Sequence, residues 1–267
     1  MSRTISGVRF DLISCESAIQ AIQQWSEKGE QNYVVVTNPH SVMLCRRDRE
    51  MCLATKSAGL VLPDGVGVVL AARLLGYKHS GRVTGPALML NCCDWGRRFG
   101  FRHFFYGGKP GVAEKLAERL SSRFAGLQVA GSLCPPFRKL TDEEDAEIVE
   151  RMNAARATIV WVGLGAPKQE KWMAGHLGRV QAAAMIGVGA AFDFHAGTAR
   201  WAPRWMRMLG LEWLYRLCCA PRRMWRRNLD SPLFLLGVLR QRLWSVLYRH
   251  EGVPGQPPDG KPEGNVE

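Results

Sequence analysis

A single carboxylate, Asp64, follows the apolar run Leu60-Val61-Leu62-Pro63 and stands directly before Gly65 and a second apolar run. This pattern is typical of a strand that turns into a helix. An aspartate at such a turn often caps the helix with its side chain. It can also act as a general base that takes a proton from a substrate hydroxyl, because ligands bind where the strands of a parallel sheet end. The sequence leaves both roles open.

Polar or glycine-rich turns follow four further predicted strands. They are Thr37-Asn38, Gly107-Gly108-Lys109, Gly163 to Gln169 and Gly187 to Asp193. The carboxyl ends of parallel strands meet at one edge of a sheet, so we expect these turns to form one site with Asp64. Gly107 and Gly108 can cradle a phosphate on backbone amides, although glycine serves equally often as turn chemistry alone.

Some isolated polar residues have two interpretations each. Arg82 is either solvated or an anion clamp, and Gln169 is either a ligand for sugar hydroxyls or a capping partner. His40 and His195 have no obvious partner in the sequence, and we interpret them as polar residues of the sheet edge.

The elements that must position these residues alternate between strand and helix. Helices are predicted over 15–29, 41–56, 66–75 and 141–154, and buried strands over 33–40 and 182–194. Residues 158–173 are predicted as a strand, a turn and a helix. Residues 3–10 form a short strand or hairpin. This alternation predicts an α/β fold with a mostly parallel, Rossmann-like sheet flanked by helices.

The composition narrows the classes of protein. A chain of 267 residues, 46% of them hydrophobic, suits one large α/β domain with a small appendage. No signal peptide and no run of about 20 apolar residues are visible. The eight cysteines lack metal-ligand spacing and are expected to be reduced. Neither a Walker A loop nor a dinucleotide-binding glycine motif is present, so we expect no metal and no cofactor.

From about residue 198 the chain becomes rich in arginine and tryptophan. Residues 198–250 contain eleven arginines and five tryptophans but only two acids, and the net charge of the chain is +12. A basic face beside an apolar, tryptophan-rich one favours an anionic membrane surface over nucleic acid or a merely solvated face. We therefore predict a catalytic domain over 1–197, a helical membrane-docking appendage over 198–250 and a disordered Pro/Gly-rich tail over 251–267.

Several sequence blocks together resemble one family. They are TNPHSVMLCRRD, LPDGVGVVLAARLLG with RVTG downstream, FYGGKPGVAEK, GLGAPKQEKWM, GVGAAFDFHAGTARWAPRWMRMLGLEWLYRL and PRRMWRR. In this order, over about residues 5–235, they resemble the WecG/TagA/CpsF family of bacterial glycosyltransferases.

The resemblance implies a fold of the GT-E type and a metal-independent, inverting transfer of a sugar from a UDP-sugar to a polyprenyl-diphosphate-linked sugar. The reaction would take place at the cytoplasmic face of the inner membrane, with the protein peripherally bound. Asp64 matches the proposed base of the family. The positions that match its substrate pocket are Thr37, Asn38, Arg82, Gln169 and Asp193, to which we add Gly107 and Gly108. The arginines expected to meet lipid or diphosphate are Arg216, Arg222, Arg223 and Arg226.

The first polar turn, TNPHS, departs from the T-x-N-x-E style of part of the family. The other blocks look most like the exopolysaccharide (GumM-like) branch, which favours UDP-glucose as donor over UDP-N-acetylmannosamine or its uronate. The alternative is a non-enzymatic protein that binds phospholipid or nucleic acid through its arginines. We also expect the exposed apolar appendage to allow homo-oligomers when no membrane is present.

Overall fold

The computed structural model describes residues 2–78 and 81–247, apart from the side chains of Arg223, Arg226 and Val246. Most of this part of the chain consists of parallel strands with helices on both faces of their sheet. The strands are β1 (Ser2–Ile5), β2 (Val8–Asp11), β3 (Asn32–Thr37), β4 (Leu60–Pro63), β5 (Arg102–Gly107), β6 (Gln128–Leu133), β7 (Ile159–Gly163) and β8 (Ala184–Gly187). The helices are α1 (Cys15–Lys28), α2 (Pro39–Arg47), α3 (Arg49–Lys56), α4 (Val66–Leu74), α5 (Gly85–Trp95), α6 (Val112–Arg123), α7 (Asp142–Ala154), α8 (Lys168–His176), α9 (Ala191–Ala196), α10 (Arg204–Met208), α11 (Glu212–Cys219) and α12 (Pro221–Leu247). The predicted tail, 251–267, lies outside the described residues.

Six strands form one parallel sheet in the order β4-β3-β8-β7-β5-β6. The central strands are buried on both faces, which explains their nearly continuous apolar sequences. Alternate residues enter separate cores. Val35 packs on one side of the sheet and Val34 on the other. The predicted parallel α/β fold is confirmed.

The two faces carry different helices. One core includes Val42 of α2, Val68 of α4 and Met173 of α8. The opposite core includes Leu88 of α5 and Phe192 of α9. The chain therefore leaves β3 toward one face and leaves the adjacent strand β8 toward the other. A crevice opens between neighbouring strands at such a point.

The segment predicted as one helix over 41–56 is two helices, so that prediction is wrong at its centre. Asp48 has an extended backbone (φ −131°, ψ 106°), and its side chain accepts a hydrogen bond from the amide of Met51. An aspartate that caps a following helix competes with the continuation of the preceding one. The chain thus bends at Asp48.

The N-terminal segment is an antiparallel hairpin of β1 and β2, one of the two structures predicted for it. The carboxylate of Asp11 accepts a hydrogen bond from the amide of Val61 at 2.9 Å, which joins the hairpin to the edge strand β4. Gln241 of α12 in turn bonds to the amide of Ser6 and the carbonyl of Thr4.

The last helix lies against the α/β core. It packs on α2 and α4, and it buries Phe234 and Val238 completely. Its outward side leaves large apolar side chains in solvent, including Leu229, Leu236 and Leu243. Within residues 2–78 and 81–247, no helix combines the length and the apolar character that crossing a bilayer requires.

Candidate active site

An open cleft lies at the carboxyl edge of the sheet, beyond the ends of β3, β4, β7 and β8. It occupies the crevice where α2 and α9 diverge. Its walls include the backbone of residues 187–191 and the first turn of α5. The acidic and basic side chains that line it are Asp64, Glu170, Glu212, Arg216 and Arg227.

Asp64 enters the cleft without serving as a helix cap. Its amide donates to the carbonyl of Thr37 at 2.9 Å, which fixes its backbone beside the end of β3. Gly65, at φ +83°, occupies the capping position of α4, and no side chain caps that helix. A positive φ of this kind favours glycine. Of the two roles considered for Asp64, the structure removes the cap.

The charges around Asp64 oppose one another. Burial, and secondarily the negative charge of Glu212, raise the pKa of the Asp64 carboxyl to about 6, while the cations Arg216 and Arg82 act in the lowering direction. A carboxyl with this pKa is largely ionised at neutral pH and is a stronger base than an ordinary aspartate. The arrangement suits abstraction of a proton from a hydroxyl.

Helix α11 contributes two paired charged residues, Glu212 and Arg216, to one side of the cleft. Arg216 Nη2 lies 3.2 Å from Glu212 Oε1, one helical turn away. The Arg216 guanidinium also lies over the ring of Phe194, 4.8 Å from its centre. Arg216, predicted to meet lipid or diphosphate, is thus held at the cleft, where its charge acts on Asp64.

A fixed hydrogen-bond chain forms the opposite wall. The amide of Gly165 donates to Gln169 Oε1 at 3.1 Å, and Gln169 Nε2 donates to Glu170 Oε1 at 2.9 Å. Glu170 is fully buried. Its burial raises the pKa of its carboxyl, against the lowering effects of the Gln169 hydrogen bond and the Arg227 charge. Gln169, a predicted site residue, lines the cleft.

Two predicted site residues come from the end of β3. Asn38 lines the cleft, and its side-chain oxygen caps α2 by accepting from the amide of Ser41 at 3.1 Å. Thr37 is completely buried outside the lining of the cleft, and its hydroxyl has no hydrogen-bond partner among the described residues.

Arg82 stands behind Asp64 without lining the cleft. Its Nη2 donates to the carbonyl of Arg207 at 2.9 Å, which attaches α10 to the sheet edge. The Arg207 guanidinium in turn stacks 3.7 Å from the centre of the Trp201 ring. Arg82 therefore acts on Asp64 through its charge and on the appendage through its hydrogen bond.

Gly107, Gly108 and Asp193 also lie outside the cleft lining. A Cβ atom on Gly107, at φ +128°, would stand 2.6 Å from the carbonyl carbon of Gly163, so glycine is required there for the close approach of two strand ends. Asp193 Oδ1 accepts from the hydroxyl of Thr198 at 3.0 Å, at the end of α9.

The remaining predicted arginines belong to the first turns of α12. Arg222 is exposed, and the side chains of Arg223 and Arg226 lie outside the described residues. The next residue, Arg227, lines the cleft instead. Arg227 was not among the arginines that the sequence singled out as site residues.

Glu170 and Glu212 were also missed. Glu170 follows Gln169 in the turn that the sequence singled out, so its position was a usable signal. Glu212 is one of two acids in an arginine-rich segment, and an acid one turn before Arg216 predicts an ion pair on a helix. Neither signal by itself indicates a cleft.

Comparison with known proteins finds one matching family model and several named relatives. The model of the glycosyl transferase WecG/TagA/CpsF family matches residues 3–247. Three similar proteins are named N-acetylglucosaminyldiphosphoundecaprenol N-acetyl-beta-D-mannosaminyltransferase. The protein from Bacillus subtilis (strain 168) is 30% identical over 78% of this chain and 79% of its own length. The one from Bacillus spizizenii is 29% identical over 82% and 83%, and the one from Staphylococcus aureus (strain NCTC 8325) is 26% identical over 89% and 92%.

Proposed function

Because the chain belongs to the WecG/TagA/CpsF family of glycosyltransferases, we propose that it moves a sugar from a UDP-sugar to a polyprenyl-diphosphate-linked sugar by direct displacement with inversion. Family membership makes the protein a hexosyltransferase and sets aside the alternative of a non-enzymatic binding protein. The observation that carries the mechanism is the position of the Asp64 carboxylate, which lines the cleft and does not cap a helix.

In the proposed reaction Asp64 removes the proton from the acceptor hydroxyl as its oxygen attacks the anomeric carbon of the donor. The new carbon–oxygen bond forms while the bond from that carbon to the diphosphate breaks on the opposite face, and the electron pair leaves with UDP. General base catalysis of this kind contributes roughly 10²- to 10⁴-fold to a rate.

The departing diphosphate gains charge, which cations and oriented amides can stabilise. Arg216 is the proposed clamp, because it lines the cleft and its charge reaches Asp64. Its partner Glu212 balances this cation while the donor is absent. Arg222, Arg223 and Arg226 remain proposed contacts to lipid or acceptor diphosphate.

The other proposed pocket residues divide into two groups. We assign Asn38 and Gln169 to contacts with the donor, because both line the cleft. For Thr37, Gly107, Gly108 and Asp193 we propose that any contribution to binding comes through the shape of the surrounding walls.

The donor proposed first is UDP-N-acetylmannosamine, because the three relatives are named for transfer of the N-acetyl-β-D-mannosaminyl group. The sequence blocks favour UDP-glucose and an exopolysaccharide product, and that donor is the competing proposal. The proposed acceptor is N-acetylglucosaminyl-diphosphoundecaprenol, which the names of the relatives specify for those proteins.

Such an acceptor lies in a membrane, so the enzyme must work at a lipid surface, for which we propose the cytoplasmic face of the inner membrane. Support comes from the apolar side chains that α10 and α12 expose next to the basic residues, among them Trp205, Met208 and Leu236. The same exposed surface would favour self-association when lipid is absent.

The test is incubation of the full chain with a short-chain polyprenyl-diphosphate-N-acetylglucosamine and a panel of UDP-sugars, with UDP release and product mass as readouts. A product heavier by one N-acetylhexosamine, formed only from UDP-N-acetylmannosamine, is expected. A product heavier by one hexose, formed from UDP-glucose, would show that UDP-glucose is the donor instead. Consumption of no UDP-sugar would overturn the proposed function.

A further inference from the structure

Among the described residues that line the cleft, Glu170 is a buried acidic side chain to which the mechanism above gives no task. The residue is fully buried, yet it lines the cleft. Its Oε1 accepts from Gln169, whereas its buried Oε2 has no hydrogen-bond partner among the described residues. A buried polar atom without a partner is unfavourable for folding, so such atoms are rare and call for an explanation.

The polarity of this group is set by its neighbours. The Gly165 amide can only donate, so it holds Gln169 Oε1 as the acceptor and turns Gln169 Nε2 toward Glu170. The Gln169 amide packs closely against Gly187, where an added Cβ would stand only 2.9 Å from Nε2. Glu170 therefore receives one hydrogen bond from the protein through Oε1, while its Oε2 is buried without a partner from the described part of the chain, in a residue that lines the cleft.

Burial is the largest influence on the Glu170 carboxyl and raises its pKa, and the charge of Arg227 opposes this effect. An ionised carboxylate only accepts hydrogen bonds. It would repel a diphosphate, which also only accepts, and would bind an N–H or O–H group.

We propose that Glu170 Oε2 accepts a hydrogen bond from an N–H or O–H donor of the UDP-sugar and thereby contributes to donor recognition. This inference rests on the proposed function. A UDP-sugar offers two sources of such donors, the imide and hydroxyls of the uridine and the hydroxyl or amide groups of the sugar. Asp64 serves the acceptor hydroxyl, whereas Glu170 serves the donor.

The effect of Glu170 on folding stability distinguishes a role in donor recognition from a purely structural role. The pKa of Glu170 is raised in the folded state, so ionising it opposes folding: this contribution to stability is present at low pH and is lost as the pH rises above the ordinary range of a glutamate. The isosteric substitution Glu170→Gln removes that cost. If Glu170 serves recognition at a cost to folding, Glu170→Gln should have a higher melting temperature and a weaker affinity for the donor.

The experiment compares the full chain with Glu170→Gln and a matched control, Glu150→Gln. Glu150 is exposed on α7, and its substitution changes the net charge by the same amount. Calorimetric titrations use UDP, UDP-N-acetylmannosamine and UDP-glucose as probes, and thermal melting is measured at pH 7.5. Glu170→Gln should weaken binding of the UDP-sugar that the wild type binds by roughly 10- to 100-fold and raise the melting temperature. The control should change neither.

The three probes locate the contact. Equal weakening for UDP and for the UDP-sugar assigns the hydrogen bond to the uridine, and weakening for the UDP-sugar alone assigns it to the sugar. Wild-type affinity of Glu170→Gln, or a lower melting temperature with unchanged affinity, would overturn the inference and leave the proposed function intact. Failure of the wild-type chain to bind UDP or either UDP-sugar would instead overturn the proposed function itself.

Discussion

His40 Nδ1 lies 2.5 Å from Asp230 Oδ2, and this contact joins α2, at the edge of the cleft, to α12 of the appendage. The other oxygen of the Asp230 carboxylate is 2.6 Å from Arg47 Nη2. Asp230 is almost completely buried and lies three residues after Arg227, which lines the cleft. The pairing therefore anchors the appendage and sets the position of a cleft arginine.

Removal of this anchor should reduce both stability and activity. Asp230→Ala leaves two cationic or polar partners without their acceptor, and we expect a loss of about 2 kcal/mol in the free energy of unfolding, less than for a fully buried pair because Arg47 is half exposed. Urea unfolding and UDP release measure the two effects. Glu147→Gln, on the exposed side of α7, is the control. Unchanged stability and turnover in Asp230→Ala would contradict the anchoring role.

The pH dependence of kcat/KM should report the Asp64 carboxyl. Its pKa is raised to about 6, so the ionised base is lost as the pH falls through that value and the rate should fall about tenfold for each further pH unit. Glu212→Gln removes a charge that raises this pKa and should move the acid limb to lower pH. Arg216→Ala removes a charge that lowers it and should move the limb to higher pH. If the acid limb of the pH dependence of kcat/KM has the same midpoint in both variants as in the wild type, the profile does not report the ionisation of Asp64.

Membrane association should depend on the outer side of α12. Leu236 and Leu243 are 62% and 60% exposed, so the double change Leu236→Gln, Leu243→Gln should leave the fold intact while it removes apolar area available to lipid. Sedimentation with vesicles containing phosphatidylglycerol should show binding weakened roughly tenfold or more. The control is Leu53→Gln, which alters a leucine of similar exposure on α3. Equal binding by the double variant and the control would exclude this surface as the membrane contact.

These point variants are more informative than deletion of the appendage. Phe234 and Val238 of α12 are completely buried against the α/β core, so a chain that ends at residue 197 exposes part of that core. Loss of activity after such a deletion would not distinguish docking from folding.

Gly107 should prove a structural residue of the turn rather than a phosphate ligand. An added Cβ would stand 2.6 Å from the Gly163 backbone, and φ is +128°, so Gly107→Ala should lower the free energy of unfolding by about 3 kcal/mol. At Gly126 φ is also positive but no atom lies within 4 Å, and Gly126→Ala should lower it by only about 1 kcal/mol. If urea unfolding gives the same loss of unfolding free energy for both variants, the close approach at Gly107 does not contribute to stability.

The local chemistry of the chain was sufficient to predict the sheet and its polar edge. Runs such as residues 33–36, followed by turn residues, have the signature of buried parallel strands, and this property does not depend on distant partners. The break at Asp48 was missed because its cap competes with an otherwise continuous helical pattern, and the two alternatives differ by only about 1 kcal/mol.

The site was predictable only in part, because several of its contacts join distant parts of the chain. His40 has no partner nearby in sequence, since Asp230 follows 190 residues later. The packing of α11 and α12 over the cleft likewise brings Glu212 and Arg227 to Asp64 and Glu170, and no pattern within the appendage indicates that docking.

The most direct test of the account is single-turnover transfer by Asp64→Asn, together with calorimetric binding of the UDP-sugar that the wild type uses. The variant should remain folded and bind the donor with wild-type affinity, while transfer to the polyprenyl-diphosphate acceptor falls by roughly 10²- to 10⁴-fold. Transfer at the wild-type rate by a folded, donor-bound Asp64→Asn variant would contradict the assignment of Asp64 as the base.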